Sequence, residues 1–330
     1  MNNMKKISSR KKDHFELSLK KESQYDMSPG FDEIRLMHNA LPEIDIDEVD
    51  LSRKFLGKQV RYPLMITAMT GGFSKAKKMN KELAHMAEKH GIAIGLGSQR
   101  AMIENPKLAE DFKIREVAMS VPIVANIGAA QLREYKFEEI EKMVSSVDAD
   151  GLAVHLNALQ EVLQPEGDKN FKGVLDAITK TCGKLNVPVI VKETGAGISR
   201  KTAEKLKKAG VKWIDVSGSG GTSWSRIEYL RSKEGVPGFE EWGIPTVKSI
   251  VMCNGILPLI ASGGVRSGLD AAKAITLGAD MAGAAYPFLK ALVEKRLDNE
   301  LEMWEKQLRI AAFLTGSKNL AELKSAEILI

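Results

Sequence analysis

From residue 63 onward, short apolar runs alternate with stretches whose apolar positions recur every three to four residues. The runs are PLMITAM, IAIGLGS, PIVANIG, GLAVHLN, PVIVKET, WIDVSGS, PLIASGG and MAGAA. Each is continuously apolar rather than alternating, the pattern of a parallel strand buried on both faces. Between them lie helical patterns such as SKAKKMNKELAHMAEKHG and SRKTAEKLKKAG, ending at Gly91 and Gly210, where a helix C-cap is expected. Met65, Ile94, Ile123 and Leu152 fall 29 residues apart, close to one strand–helix unit of an eightfold barrel of about 250 residues. The pattern predicts an α/β fold, a (β/α)8 TIM barrel with an N-terminal arm. A doubly wound open sheet is the alternative. Against it, the turn after the first strand, MTGGFSKA, lacks the GxGxxG fingerprint of a dinucleotide fold.

Residues 1–62 form the expected arm and 63–330 the barrel. The arm is charged, carries Pro29, Gly30 and Pro42, and includes the acidic stretch LPEIDIDEVD. It is expected to hold one or two short helices and to cover part of one barrel end. Gly220 to Gly243 makes a long loop after the sixth strand, with Trp224, Phe239 and Trp242. Loops this long are usually functional or disordered, and the aromatics favour a lid. The stretch LEMWEKQLRIAAFLTG is amphipathic, suited to covering the barrel or a partner.

Composition changes this picture little. Of 330 residues, 44% are hydrophobic and 28% charged, ordinary for a soluble chain with a sizeable core. A net charge of +5, spread along the chain, gives no electrostatic footprint for nucleic acid. The basic start, MKKISSRKK, lacks the apolar region of a secretory signal. No run approaches the roughly 18 apolar residues of a membrane span. The expected location is therefore the cytoplasm, with Cys182 and Cys253 as reduced structural thiols rather than a disulfide or a nucleophile.

The chemistry gathers at the strand ends, where barrels of this class carry their sites. The fourth run continues as HLNALQEVLQPEGDKNF, with His155, Asn157, Gln160 and Glu161 at its mouth. His155 and Asn157 share one face by the strand period of two. The bland readings are a satisfied core histidine and an exposed loop carboxylate. After the last two strands come ASGGVRSG and GAAYP. Gly263 and Gly264 let the backbone approach an anion, Ser267 caps the next helix, and Gly283, Ala284 and Ala285 keep the neighbouring turn small. A purely structural turn is the alternative, and Arg266 is either a phosphate partner or a surface charge. Lys192 ends the fifth strand among apolar residues, where an ammonium is costly without an anionic partner. Glu193 is a poor candidate because neighbours on a strand face opposite ways. Thr67, Thr70, Ser98 and Asn126 add polar ends to the first three strands. One cation within such a ring, with a phosphate site opposite, fits a planar heterocycle bearing a phosphate tail.

At this point a family comes into view. SSRKKDH, TAMTGG, GLGSQR, ANIGA, HLNALQEVLQPEGDKNF, VKETGAGIS, SGSGGTSW and ASGGVRSG resemble, in order, the FMN-dependent type 2 isopentenyl-diphosphate isomerases. The match runs from the arm through the eighth strand. It implies a cytoplasmic homo-oligomer, tetramer or octamer, interconverting isopentenyl and dimethylallyl diphosphate with reduced FMN, Mg2+, and NAD(P)H as flavin reductant. By the same resemblance, Thr67, Ala68, Met69 and Thr70 lie beside the flavin ring, and Ser98 and Asn126 hydrogen-bond it. Lys192 faces its pyrimidine edge, and Ser217 and Thr222 contact the cofactor. Gly263, Gly264, Val265, Arg266, Ala284 and Ala285 hold its phosphate. Arg10, Lys11, His14, Ser98, Gln99, Arg100, His155, Asn157 and Gln160 bind substrate, and Glu161, with Glu166 and Asp168 nearby, ligates Mg2+. His155, Asn157, Gln160 and Lys192 form the catalytic set.

Moving this double bond means protonating an unactivated alkene, for which imidazole and amides are poor acids. The resemblance resolves the difficulty by assigning the acid–base chemistry to reduced flavin, without net redox turnover. A lysine ammonium about 4 Å from its N1 charge, at an effective dielectric near 20, contributes about 4 kcal/mol. A 2-hydroxy acid oxidase on the same scaffold requires a late histidine base. The five histidines are His14, His38, His85, His90 and His155, and none follows the fifth strand. A nucleotide dehydrogenase with a loop cysteine fails because the loop after the sixth strand has none. A non-catalytic flavin-binding regulator would not need the metal carboxylate.

Overall fold

In the computed structural model, residues 2–68, 76–232 and 235–329 are described, with side chains from residue 10 onward. Met69 and Thr70 lie outside the described residues. Eight parallel strands close into a barrel: β1 (Leu64–Ile66), β2 (Ala93–Gly95), β3 (Ile123–Gly128), β4 (Gly151–Leu156), β5 (Val189–Glu193), β6 (Trp213–Asp215), β7 (Leu259–Ala261) and β8 (Met281–Ala284). β8 pairs with β1 in register Gly283↔Met65, so no open edge remains, and the doubly wound alternative is excluded. Each apolar run contributes one strand because its residues are covered on both faces. One face meets the barrel interior and the other the shell of helices, leaving Leu64, Ile66, Ile123, Leu152, Val191 and Ile214 at most 2% exposed.

The helices used below are α1 (Asn2–Ser18), α2 (Ala76–His90), α3 (Ala158–Leu163), α4 (Trp224–Arg231), α5 (Gly268–Thr276) and α6 (Leu297–Leu314). α2 buries Met79, Leu83, Ala84 and Ala87 on one stripe, and its charged face looks outward. α6 covers the barrel, burying Leu297, Leu301, Trp304 and Leu308 and packing on α5. Among the described residues no helix is long and apolar enough to cross a membrane.

The segment before the barrel meets both of its ends, rather than part of one. A hairpin, Arg53–Phe55 with Lys58–Val60, inserts Phe55 and Val60 among Met65, Ala93, Val124, Ala153, Ile190, Ile260 and Met281. It plugs the N-terminal end with apolar side chains. At the opposite, C-terminal end lies α1, one helix of 17 residues where one or two short ones were expected. It is tied down by the chain that follows: Tyr25 N–H donates to Gly221 O, Ser223 N–H donates to Ser23 O, and Arg226 donates to Gln24 O. The long loop after β6 is not irregular throughout. It contains α4, against which α1 packs. Trp224 stands at the mouth, 5.2 Å from His14 edge to face, whereas Phe239 and Trp242 contact each other on the outer surface, Trp242 being 60% exposed. Those two do not line the mouth.

Candidate active site

A cavity of about 290 Å3 opens at the C-terminal mouths of the strands, beneath α1. Its wall on the β7–β8 side is the Gly-rich turn. Gly263 and Gly264 adopt φ of +93° and +71°, and a Cβ at either would stand 2.2 Å from Gly218 O or 2.7 Å from Gly220 O. The two loops touch backbone to backbone, which side chains would prevent. Among the described residues the N–H groups of Gly264 and Val265 donate to nothing. Ser267 Oγ caps α5 through Asp270 N–H at 3.0 Å. Free donors beside a capped helix start are what a phosphate requires, and Ala284 and Ala285 line the same wall. Arg266 stands partly apart: its N–H is taken by Asp270, and its guanidinium donates to Gly220 O at 3.2 Å and Gln24 Oε1 at 3.5 Å.

The floor is polar. Thr67, Ala68, Ser98, Asn126, Lys192, Ser217 and Thr222 all line the cavity. Lys192 Nζ donates to its neighbour's backbone, Glu193 O, at 2.5 Å. The Glu193 carboxylate turns away to accept from Thr194 N–H and Ala196 N–H, and burial pushes it up to about 7 against those bonds. The Lys192–Glu193 side-chain pair is therefore not formed. Beside Lys192 in the barrel register is Asp215, a residue the sequence reading passed over. Its Oδ1 accepts from Ser262 Oγ at 2.6 Å, and burial pushes it up while Lys192 pulls it down.

The opposite wall carries the β4 cluster. His155 is the last residue but one of β4, and Asn157 stands at the N-cap of α3 at φ −134° and ψ 41°, so the two are no longer on one strand face, yet both line the cavity. Glu161 is buried in the first turn of α3 rather than in a loop, accepting from Asn157 Nδ2 at 3.0 Å and Asp168 N–H at 2.7 Å. The neighbouring carboxylates are engaged elsewhere: Glu166 faces Arg231 at 2.9 Å, and Asp168 faces Arg133 at 3.7 Å. Among the described residues no three His, Cys, Asp or Glu side chains gather as a metal cage. Glu161 offers a carboxylate here, with Asn157 Oδ1, unpartnered among the described residues, beside it, which suits an ion completing its shell with water and phosphate.

From above, α1 brings Arg10, Lys11 and His14 to the cavity. Lys11 Nζ donates to Ser98 O at 3.3 Å, and burial with Arg10 beside it lowers the amine to about 8. Arg100 also faces in, paired with Glu104 at 2.7 Å. Gln99 does not reach the cavity. Fully buried, its Oε1 accepts from Asn126 N–H at 2.9 Å and its Nε2 points to Met102 Sδ, so it fixes the backbone of β3.

Two further residues escaped the sequence reading. Glu228, 1% exposed on α4, collects Gln160 Nε2 at 3.0 Å, Arg231 Nε at 2.9 Å and His14 Nε2 at 2.8 Å. Burial pushes this carboxylate up, but His14, Gln160 and Arg231 hold it below its usual value. Gln131, also buried, lines the cavity just after β3.

His155 is the most strongly perturbed base. Burial, with Lys192 and Lys11 adding to it, lowers it to about 3. Between pH 6.5 and 3 the unfolded chain binds a proton there and the folded chain does not, so this residue makes stability fall as pH falls. At pH 5 the penalty is about 2 kcal/mol. His155→Gln is expected to lose that much less stability than the native apoprotein between pH 7.5 and pH 5, read by urea unfolding. The opposite slope from Glu193, whose raised value costs stability as pH rises toward 7, cancels between the two proteins. Equal acid losses would show that His155 titrates normally.

A closed (β/α)8 barrel with a Gly-rich turn and a cationic lobe around one cavity at the C-terminal strand ends has the layout of a barrel enzyme's active site. The sequence model of the FMN-dependent dehydrogenase family matches residues 5–180 and 159–329. The chain is 45% identical to the isopentenyl-diphosphate delta-isomerase of Archaeoglobus fulgidus, covering 98% of this chain and 96% of the relative. It is 47% identical to that of Methanococcoides burtonii, covering 97% and 91%. Among solved structures, a lactate oxidase of Pediococcus acidilactici superposes with a TM-score of 0.69 at 17% identity, over 95% of this chain and 86% of that one, which establishes the barrel fold alone. The chain belongs to the FMN-dependent, type 2 isopentenyl-diphosphate delta-isomerases.

Proposed function

We infer that the protein interconverts isopentenyl and dimethylallyl diphosphate, using FMN as its resident cofactor. One observation carries the reading: a single cavity has two places for phosphate on opposite walls. The Gly263–Val265 cradle with its free N–H groups suits the tail of FMN, and the lobe of Arg10, Lys11, Arg100, His155, Asn157, Gln160 and Glu161 suits a diphosphate. When bound in its reduced form, FMN supplies the acid–base chemistry that an unactivated alkene demands, without net redox turnover. The residues of this chain bind, orient and exclude water. Lys192 presents a cation to the cofactor's developing charge from the floor. Glu161 holds Mg2+ against the diphosphate, whose remaining charge Arg10, Lys11 and Arg100 offset. α1, with Trp224 beside it, covers the mouth. NAD(P)H enters only as reductant of the flavin, and a tetrameric or octameric cytoplasmic enzyme is part of the proposal.

Proton NMR of an anaerobic reaction in D2O with protein, FMN, Mg2+, NADPH and isopentenyl diphosphate tests this. Deuterated dimethylallyl diphosphate should accumulate while NADPH is consumed only in proportion to flavin. One NADPH spent per product would overturn the acid–base reading, and no product with bound, reduced flavin would overturn the isomerase. For the arm, Arg10→Ala should raise KM about 10- to 100-fold, the worth of a charged hydrogen bond, and leave FMN affinity unchanged. Unaltered KM would remove Arg10 from the substrate lobe.

A further inference from the structure

The β3–β4 wall fixes not only where His155 stands but which of its nitrogens carries hydrogen. Asn126 Nδ2 donates to Leu96 O at 3.0 Å, which sets the orientation of that amide. Its oxygen therefore faces His155 Nδ1 at 2.8 Å, and an amide oxygen only accepts. The hydrogen of the neutral ring must sit on Nδ1. Nε2 is left bare, and among the described residues it has no hydrogen-bond partner. A bare nitrogen repels a diphosphate oxygen.

We infer that the diphosphate substrate binds with uptake of a solvent proton at His155 Nε2, and that Asn126 imposes this as a positioning residue for His155. The inference rests on the reading of the β4 lobe as the diphosphate site. It moves Asn126 from the flavin to the substrate: with Nδ2 spent on Leu96 O and Oδ1 on His155, its amide hydrogen-bonds inward to the wall. The charged groups facing the ring are Lys192 from β5 and Lys11 from α1, both cationic, so the ring rests neutral in the ligand-free protein. An arriving diphosphate offsets both and adds an acceptor at Nε2, and the imidazolium then forms with both nitrogens donating. The proton is taken from water and returns to it on product release. It plays no part in moving the double bond.

The experiment is calorimetry of isopentenyl diphosphate binding to the holoenzyme with oxidised FMN and Mg2+, at pH 7, where Lys11 is already charged, in buffers of different ionisation enthalpy. The native protein should take up about one proton more than His155→Gln, because protons belonging to the ligand are common to both. Nitrogen-15 spectra of histidine-labelled native enzyme should show Nε2 bare before ligand and protonated after it, a readout independent of how the variant folds. Equal proton uptake with weakened binding in His155→Gln, or an Nε2 already protonated without ligand, would overturn the proposal and leave the diphosphate lobe standing. Native affinity in His155→Gln would instead overturn the assignment of that lobe, and the proposal with it.

Discussion

Lys192→Met is expected to lower turnover about 10²- to 10³-fold, the usual cost of removing one preorganised electrostatic group from a catalytic centre. The same change should cut the affinity of the apoprotein for reduced FMN far more than for oxidised FMN. The reason lies in the surroundings of Lys192. Its nearest carboxylate along the strand, Glu193, turns Oε2 to the backbone N–H groups of Thr194 and Ala196. Asp215, beside it in register, spends Oδ1 on Ser262 and Ser217. Among the described residues the ammonium's one hydrogen bond is to Glu193 O, which leaves it to serve a negative charge in the cavity. In contact with a unit charge at an effective dielectric near 20 it contributes about 4 kcal/mol, felt by the anionic reduced cofactor and hardly at all by the neutral oxidised one. The comparison to make is kcat together with the ratio of the two FMN affinities. A variant that loses stability while keeping that ratio would mean that Lys192 serves Asp215 and the barrel interior instead.

The barrel was legible in the sequence because burial on both faces forces a continuous apolar run, and eight such runs left eight marks. The closing register Gly283↔Met65 is the geometric consequence of their number. The Gly-rich turn was legible for a related reason: two loops in backbone contact admit only glycine at Gly263 and Gly264. What the pattern could not reveal is where a polar side chain spends its hydrogen bonds. Gln99 sits in GLGSQR between Ser98 and Arg100, both of which line the cavity, yet its amide points back into β3. Nothing in a string of residues distinguishes the three. Glu228 was invisible for the opposite reason. Its partners His14, Gln160 and Arg231 come from the arm, α3 and α4, and only the fold assembles them. Phe239 and Trp242 misled because an aromatic in a long loop reads as a lid whether it turns inward, like Trp224, or outward. The arm shows the same limit. Its charged start marked the mouth, but Phe55 and Val60, ordinary apolar residues in a polar segment, gave no sign that they plug the far end.

Glu161→Gln should be the most damaging change on the opposite wall. Glutamine keeps the shape, and its carbonyl still accepts from Asp168 N–H, so α3 and the loop behind it remain in place. What disappears is the one carboxylate on this wall, among the described residues, not already paired with an arginine, since Glu166 and Asp168 face Arg231 and Arg133. Glu228, the other carboxylate close by, is enclosed by His14, Gln160 and Arg231. A divalent ion that takes one protein carboxylate and completes its shell with water and phosphate finds no second free carboxylate here among the described residues. Truncating one partner of a buried charge interaction costs about 2–5 kcal/mol, so kcat/KM should fall about 30- to 5,000-fold. The Mg2+ concentration for half-maximal rate should rise in parallel, while FMN affinity should stay as in the native protein. Titrating activity against Mg2+ at fixed substrate separates this from a defect in substrate contact. A variant with the native Mg2+ dependence but a raised KM would assign Glu161 to orienting Asn157, its partner at 3.0 Å, and leave the ion to the substrate's own oxygens.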